Sequence, residues 1–262
     1  MWLSIRIKEV KQLIDIHTHI LPGVDDGAAS VEEALQMARM AVAGGVDTLF
    51  LTPHCNVGYL YENYYDDKME RYFRNFEHAV REQRLPLTIL SGMEVFGSLE
   101  VPELLMEGKL ITLNHSRYLL MEFGFDIDKE WSAFLLQEIL SLGFRPVIAH
   151  PERYPIIQKY PEIAGEWVEL GCAIQVNKGS ILGNFGRNAR ETAFMLLDQR
   201  LASLVASDSH GLQRRTPGLF EVYHVISNHF SSVYADILMR DNPKRVIEDK
   251  ELIEVSGIRS LL

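Results

Sequence analysis

Short apolar runs alternate along this chain with longer stretches of helical periodicity, and the pair recurs seven times. The runs cover residues 13–16, 48–52, 87–91, 118–122, 146–149, 173–176 and 203–207. Consecutive strands joined through helices run parallel, because a parallel pair needs a long crossover, and the crossover helices cover the sheet. Seven such units predict an α/β fold, a closed or nearly closed parallel barrel rather than an open sheet. Ser30-Val31-Glu32-Glu33 reads as a capping box in which Ser30 and Glu33 satisfy free backbone amides. The helix it opens carries Val31, Ala34, Leu35, Ala38 and Val42 on one face and stops at Gly44-Gly45. Further helices are expected over 68–83, 131–142, 161–170, 188–199 and 220–229. No linker or composition break divides the chain, so one domain over 1–262 is expected. Its core lies at about 13–247, with a helical C-terminal extension over about 231–262.

Of the 262 residues, 26 are Lys or Arg and 36 Asp or Glu, a formal charge of −10. That balance argues against a nucleic-acid or anionic-membrane binder, whose footprint is basic. Cys55 and Cys172 are too few for a disulfide-stapled secreted fold, which points to a reducing compartment. Charges at Arg6, Lys8 and Glu9 interrupt the apolar run that a signal peptide needs. No window approaches the roughly 18 apolar residues of a membrane span. A cytoplasmic protein without membrane insertion is expected; the oligomeric state is not legible.

A parallel barrel places its chemistry where strands end and loops begin. Six of the seven runs end on imidazole or carboxylate: His17, His19 and Asp26; His54; Glu94; Glu122; His150; Asp208 and His210. The sixth, ending near Asn177-Lys178, offers no obvious ligand. In an extended chain His17 and His19 project to the same side, and Asp15, in phase with them, is a candidate to orient a ligand. Nine donors exceed the need of one ion and suit two or three if a carboxylate bridges. The mixed set fits Mn, Fe or Zn, with no thiolate cluster to impose zinc. Four carboxylates against three divalent ions leave an excess of about two positive charges, which attracts a phosphate dianion despite the acidic chain. Arg153 and Arg215 follow presumed ligands and can grip phosphate oxygens bidentately, and Arg214 is an equal candidate for the second role.

Other chemistries lack their residues. A thiol phosphatase needs an arginine six positions after its cysteine, where this chain has Tyr61 after Cys55 and Lys178 after Cys172. No GxGxxG, GxxxxGK[ST] or GxSxG motif occurs. His78, His115, His224 and His229 read as surface or packing positions. The aromatic segment 59–65 either presents tyrosines to a substrate ring or packs on the barrel rim.

The stretch Ile14-Asp15-Ile16-His17-Thr18-His19-Ile20-Leu21-Pro22-Gly23-Val24-Asp25-Asp26-Gly27 closely resembles the opening of bacterial PHP-domain (polymerase and histidinol phosphatase superfamily) protein-tyrosine phosphatases. These are manganese-dependent enzymes encoded with capsular and extracellular polysaccharide genes. Thr52-Pro53-His54, Gly92-Met93-Glu94, Leu120-Met121-Glu122-Phe123, Ala149-His150-Pro151-Glu152-Arg153, Gln175-Val176-Asn177 and Ala206-Ser207-Asp208-Ser209-His210 extend the likeness. It implies a distorted (β/α)7 TIM-like barrel, the PHP fold, with a Mn²⁺ site of two or three ions. His17, His19, Glu94 and Asp208 would hold one ion, Glu94 bridging to a second held by Glu122 and His150. Asp26, His54 and His210 would hold the third. Arg153, Arg215 and Asp26 are then the candidate catalytic residues. The implied reaction is hydrolysis of phosphotyrosine on a protein by a hydroxide bridging the ions, with no phosphoenzyme. The implied partner is a bacterial tyrosine kinase with a tyrosine-rich tail. A small-molecule phosphatase of histidinol-phosphate type and a non-catalytic phosphotyrosine-tail binder are the alternatives.

Overall fold

The computed structural model describes residues 12–56, 58 and 60–254. Nine parallel strand segments alternate with helices: β1 Leu13–Asp15, β2 Val46–Leu51, β3 His54–Cys55, β4 Thr88–Ser91, β5 Glu94–Phe96, β6 Tyr118–Glu122, β7 Arg145–Ala149, β8 Ala173–Asn177 and β9 Ala202–Ala206. They form two sheets, ordered β1-β2-β4 and β3-β5-β6-β7-β8-β9. The second and third barrel strands are each split in two, β2 from β3 at Thr52-Pro53 and β4 from β5 at Gly92-Met93. Seven barrel positions result, as the alternation predicts, and the fold is a distorted (β/α)7 barrel. Thr18 staples the first break: its amide donates to Thr52 Oγ1 at 2.9 Å and accepts, through its carbonyl, from the Thr52 amide at 3.0 Å. The ring closes between its last and first strands by a single parallel bridge, Thr18 to Ser209, with Asp208 N on His17 O at 2.9 Å.

Alternation along the strands divides the core. Residues such as Leu119, Met121, Ile148, Ile174 and Val205 face the surrounding helices. Ile14, Ile16, Phe50, Leu120, Val147, Ala149, Leu204 and Ala206 fill the barrel interior, a packed core rather than a pore. On β8 the inward phase runs Ala173, Gln175, Asn177, so the interior turns polar toward the C-terminal end of the strand.

The first helix, Val31–Ala43, is capped by Ser30, whose Oγ accepts from Glu33 N at 3.2 Å. Glu33 reaches back to the Ala29 amide rather than to that of Ser30. Its buried face is Ala34, Met37, Ala38 and Ala41, and Val31, expected on that face, is exposed. Three alanines let the helix axis come close to the strands. The helices expected at 68–83, 131–142, 161–170 and 188–199 form as Asp67–Glu82, Lys129–Ser141, Glu162–Leu170 and Arg187–Asp198.

Of the C-terminal extension expected over 231–262, residues 255–262 lie outside the described residues, and the rest packs on the barrel. Ser232–Asp236 packs against the helix Phe220–His229, while a π turn Ile237–Asp241 and the helix Asn242–Ile247 pack across β1 and β9. Asn242 Nδ2 donates to Ser203 O at 2.9 Å, and its Oδ1 accepts from Ile253 N at 2.7 Å. Val246 and Leu252 plug the interior from below. Among the described residues no helix is long and apolar enough to cross a membrane.

Candidate metal centre

The C-terminal strand ends gather all nine predicted donors into one contiguous cluster. His17 Nε2 and His19 Nε2 lie 3.1 Å apart. Glu94 Oε1 is 3.2 Å from the first and Glu94 Oε2 3.2 Å from the second, with Asp208 Oδ1 3.5 Å from each. Glu94 extends to His150 Nε2 at 3.1 Å and to His54 Nδ1 at 3.0 Å, while Glu122 Oε1 stands 3.2 Å from His54 Nδ1. On the other side Asp26 Oδ1 is 3.4 Å from His54 Nε2 and 3.5 Å from His210 Nε2. His54 and Glu94 sit within the short strands β3 and β5 rather than beyond them. His150 and Asp208 just past their strands take left-handed backbone, φ 41° and 51°, an uncommon conformation concentrated at functional sites.

The donor chemistry fits cations. His17 Nδ1 donates to Gln175 Oε1 at 2.8 Å and His19 Nδ1 to Asp25 Oδ2 at 2.9 Å, so both Nε2 atoms present lone pairs. Two lone pairs 3.1 Å apart, flanked by two buried carboxylates, repel one another unless positive charge lies between them. His54 Nδ1, Glu94 Oε2 and His210 Nε2 are buried without a hydrogen-bond partner among the described residues. Metal bonds of about 2.0–2.2 Å hold neighbouring donors about 3.0–3.5 Å apart in octahedral or tetrahedral shells, and that is the spacing here. Three groups each bring their atoms within 4.8 Å: His17, His19 and Asp208; His54, Glu94 and Glu122; His19, Asp26, His54 and His210.

The local field matches. Burial works against protonation of His17, but Glu94 and Asp208 outweigh it and lift the ring to about 9. Burial and the neighbouring His19 press His210 down to about 4. Burial favours a neutral Asp208, yet His17 and Arg215 hold its carboxyl well below the usual range. The facing imidazoles of His210 and His54 do the same for Asp26. The carboxylates that draw a proton onto His17 draw a divalent ion more strongly.

Residues that carry no donor of their own orient the cluster. Asp15, the expected orienting group, instead binds backbone, accepting from Ser207 N at 3.0 Å. Its place is taken by Asp25 for His19 and Gln175 for His17. Asn177 Nδ2 donates to Asp208 Oδ2 at 2.5 Å, so the sixth strand, which offers no ligand, supplies two positioning groups. Period-two phase on β8 was the signal for both. Gly27 is required sterically, since a Cβ there would fall 1.8 Å from His19 O.

Beside the cluster lies a cleft of about 190 Å³, lined by Asn56, Tyr61, Phe123, Phe125, Arg153 and Arg215 as well as His54, Glu122 and His150. Arg215 donates to Asp208 Oδ1 at 2.5 Å, and Arg153 approaches Asp208 Oδ2 at 3.4 Å with its guanidinium 4.6 Å from the Phe185 ring centre. Arg214 is exposed and outside this cleft, whereas Arg215 lines it. Tyr61 lies almost parallel to the His54 ring, centroids 5.8 Å apart, whereas Tyr64 and Tyr65 pack on the core. Tyr61 thus lines the cleft while Tyr64 and Tyr65 pack on the core; Tyr59 is outside the described residues. Both thiols are free and buried, and burial pushes each up to about 12, which leaves no thiolate for nucleophilic attack.

A parallel barrel with clustered imidazoles and carboxylates at its C-terminal rim defines a metal-dependent PHP-type protein. Residues 13–248 match the family described as capsular polysaccharide synthesis, CpsB/CapC, and the chain belongs to that family. It is 36% identical over 220 residues to tyrosine-protein phosphatase YwqE of Bacillus subtilis, 84% of this chain and 86% of that one. With tyrosine-protein phosphatase CpsB of Streptococcus pneumoniae it shares 32% over 243 residues, 91% and 99% of the two chains. A chain from the crystal structures of YwqE and CpsB, described as unique metal-dependent tyrosine phosphatases, superposes with TM-score 0.87 at 32% identity, covering 93% of this chain and 98% of that one. The phosphotriesterase homology protein of Escherichia coli shares the barrel alone, with TM-score 0.59 at 11% identity over 92% of this chain and 100% of that one.

Proposed function

We propose that this chain is a metal-dependent protein-tyrosine phosphatase of capsular or extracellular polysaccharide synthesis, acting in the cytoplasm on a tyrosine-rich segment of a bacterial tyrosine kinase. The observation that carries the reading is the convergence of nine lone-pair donors in one cluster, bordered by a cleft that holds two arginines. His17, His19, Glu94 and Asp208 would hold one ion, Glu94 would be shared with a second held by Glu122 and His150, and Asp26, His54 and His210 would hold a third. His54 reaches the Glu94–Glu122 pair as well as Asp26, so it stands between the second and third positions. Manganese suits this donor set. Divalent ions in such a site lower the pKa of a coordinated water and polarise phosphoryl oxygens.

The chain's own residues supply the rest. Arg153 and Arg215, 20% and 26% exposed, bind the phosphate oxygens and set the ester bond in line with the cluster. Asn177 and Arg215 hold Asp208 from two sides, so its free rotation is lost. Asp25 and Gln175 fix two imidazole tautomers. Tyr61 and Phe125 flank the cleft mouth and accept an aromatic leaving group. A phenolate, pKa near about 10, leaves without a strong general acid. Among the described residues the cleft lining contains no carboxylate apart from Glu122, which faces His54, a point against an amine-bearing metabolite such as histidinol phosphate.

Assay of p-nitrophenyl phosphate with and without added manganese tests the reaction. Metal-dependent release is expected; no release would leave a phosphotyrosine-tail binder. Comparing phosphotyrosine peptide, phosphoserine peptide and histidinol phosphate then ranks the substrate classes.

A further inference from the structure

A second cavity of about 540 Å³ adjoins the metal cleft. Arg215 lines both, and Phe185, a wall of the second cavity, carries the Arg153 guanidinium of the first. Its floor is the turn after β8, where buried Lys178 donates to Thr216 O and Gly218 O and so pins the loop that bears Arg214 and Arg215. Lys178 is thus committed to backbone. Arg214 is not: it is exposed, lines the cavity and makes no ion pair or hydrogen bond among the described residues. Gln213 and Asn184 add exposed amides, and the one carboxylate in the lining is the exposed Glu221.

We propose that this cavity is a subsite for an anionic residue flanking the scissile phosphotyrosine, a carboxylate or a second phosphoryl group, with Arg214 as its specificity determinant. The inference rests on the phosphatase reading. A peptide whose phosphotyrosine lies between Arg153 and Arg215 passes Arg215 on leaving the cleft, and the next polar surface it meets is this cavity. An uncommitted guanidinium there offers bidentate bonds to either anion. The chain is acidic overall, at −10, so local positive charge rather than the overall field selects an anionic segment.

The test is kinetics of manganese-loaded enzyme on phosphotyrosine peptides. They carry alanine, glutamate, lysine or a second phosphotyrosine at each flanking position, with p-nitrophenyl phosphate alongside. On one flank the wild type should favour an anionic neighbour by about 5-fold in kcat/KM. Arg214→Ala should erase that preference, Arg214→Lys retain part of it and Arg214→Glu turn it toward lysine, all with unchanged p-nitrophenyl phosphate turnover. A preference for the second phosphotyrosine alone assigns the subsite to phosphoryl groups; equal preference assigns it to anions generally. An anionic preference identical in wild type and Arg214→Ala, or none in wild type, overturns the proposal. If p-nitrophenyl phosphate is not hydrolysed, the phosphatase reading fails instead. Fluorescence anisotropy of the same peptides then reads the subsite without turnover, equal affinities for both proteins again overturning it.

Discussion

The two ends of the barrel use similar charges to opposite effect. At the strand starts, Arg117 Nε meets Asp249 Oδ1 at 3.0 Å, and Glu251 bridges Arg117 and Arg145 at 2.7 and 2.5 Å, all within reach of water. Each charge there has a counter-charge, and solvent screens what remains. At the strand ends, Glu94 and Asp208 are fully buried and face imidazoles whose lone pairs point at them. There, among the described residues, Arg153 and Arg215 answer Asp208 alone, while Glu94 and Glu122 face only imidazoles, a set that cations complete. One end tolerates change; the other is a single interdependent unit.

Removing a donor should give the largest effect. His54→Ala or Asp208→Ala is expected to lower turnover by at least about 10³-fold, as loss of transition-state charge stabilisation does, with circular dichroism unchanged. Activity near wild type would detach these residues from the centre. Next come the positioning groups. Asn177→Ala, Gln175→Ala and Asp25→Ala should each weaken metal affinity by about 10–100-fold, measured by titration of the stripped protein. Addition of excess manganese should restore much of their activity, which a direct chemical role would not allow. Arg153→Lys keeps the charge but loses the fork and the stacking on Phe185, so about a tenfold fall in kcat/KM is expected. The smallest effect belongs to the far end. Arg117→Ala should leave kinetics unchanged and lower the melting temperature by about 2 °C or less, the difference shrinking in high salt.

The same contrast explains what could be read from the sequence. Continuous strands such as β6 and β7 stand out as apolar runs because helices cover one face and the interior core the other. The halves β3 and β5 do not, because they are two and three residues long and carry His54 and Glu94. Pro53 and Gly92 disguise their continuity with β2 and β4. The clustering of the nine candidates was legible through residue type and position near the ends of barrel strands. Their supports were not: Gln175 and Asn177 look like ordinary amides until Ala173 places them inward. Asp25 is indistinguishable from Asp26 without knowing which loop carboxylate meets an imidazole. The C-terminal helices carry no motif, and their role as a plug follows only from Val246 and Leu252 meeting the interior.

Elemental analysis of the purified chain, stripped by chelator and reloaded stepwise with manganese while turnover is followed, addresses the centre directly. Two or three ions per chain are expected, with turnover absent in stripped protein and returning as the ions load. Full turnover with no ion bound, or a chain that refuses loading, would contradict a cluster of side chains built around cations.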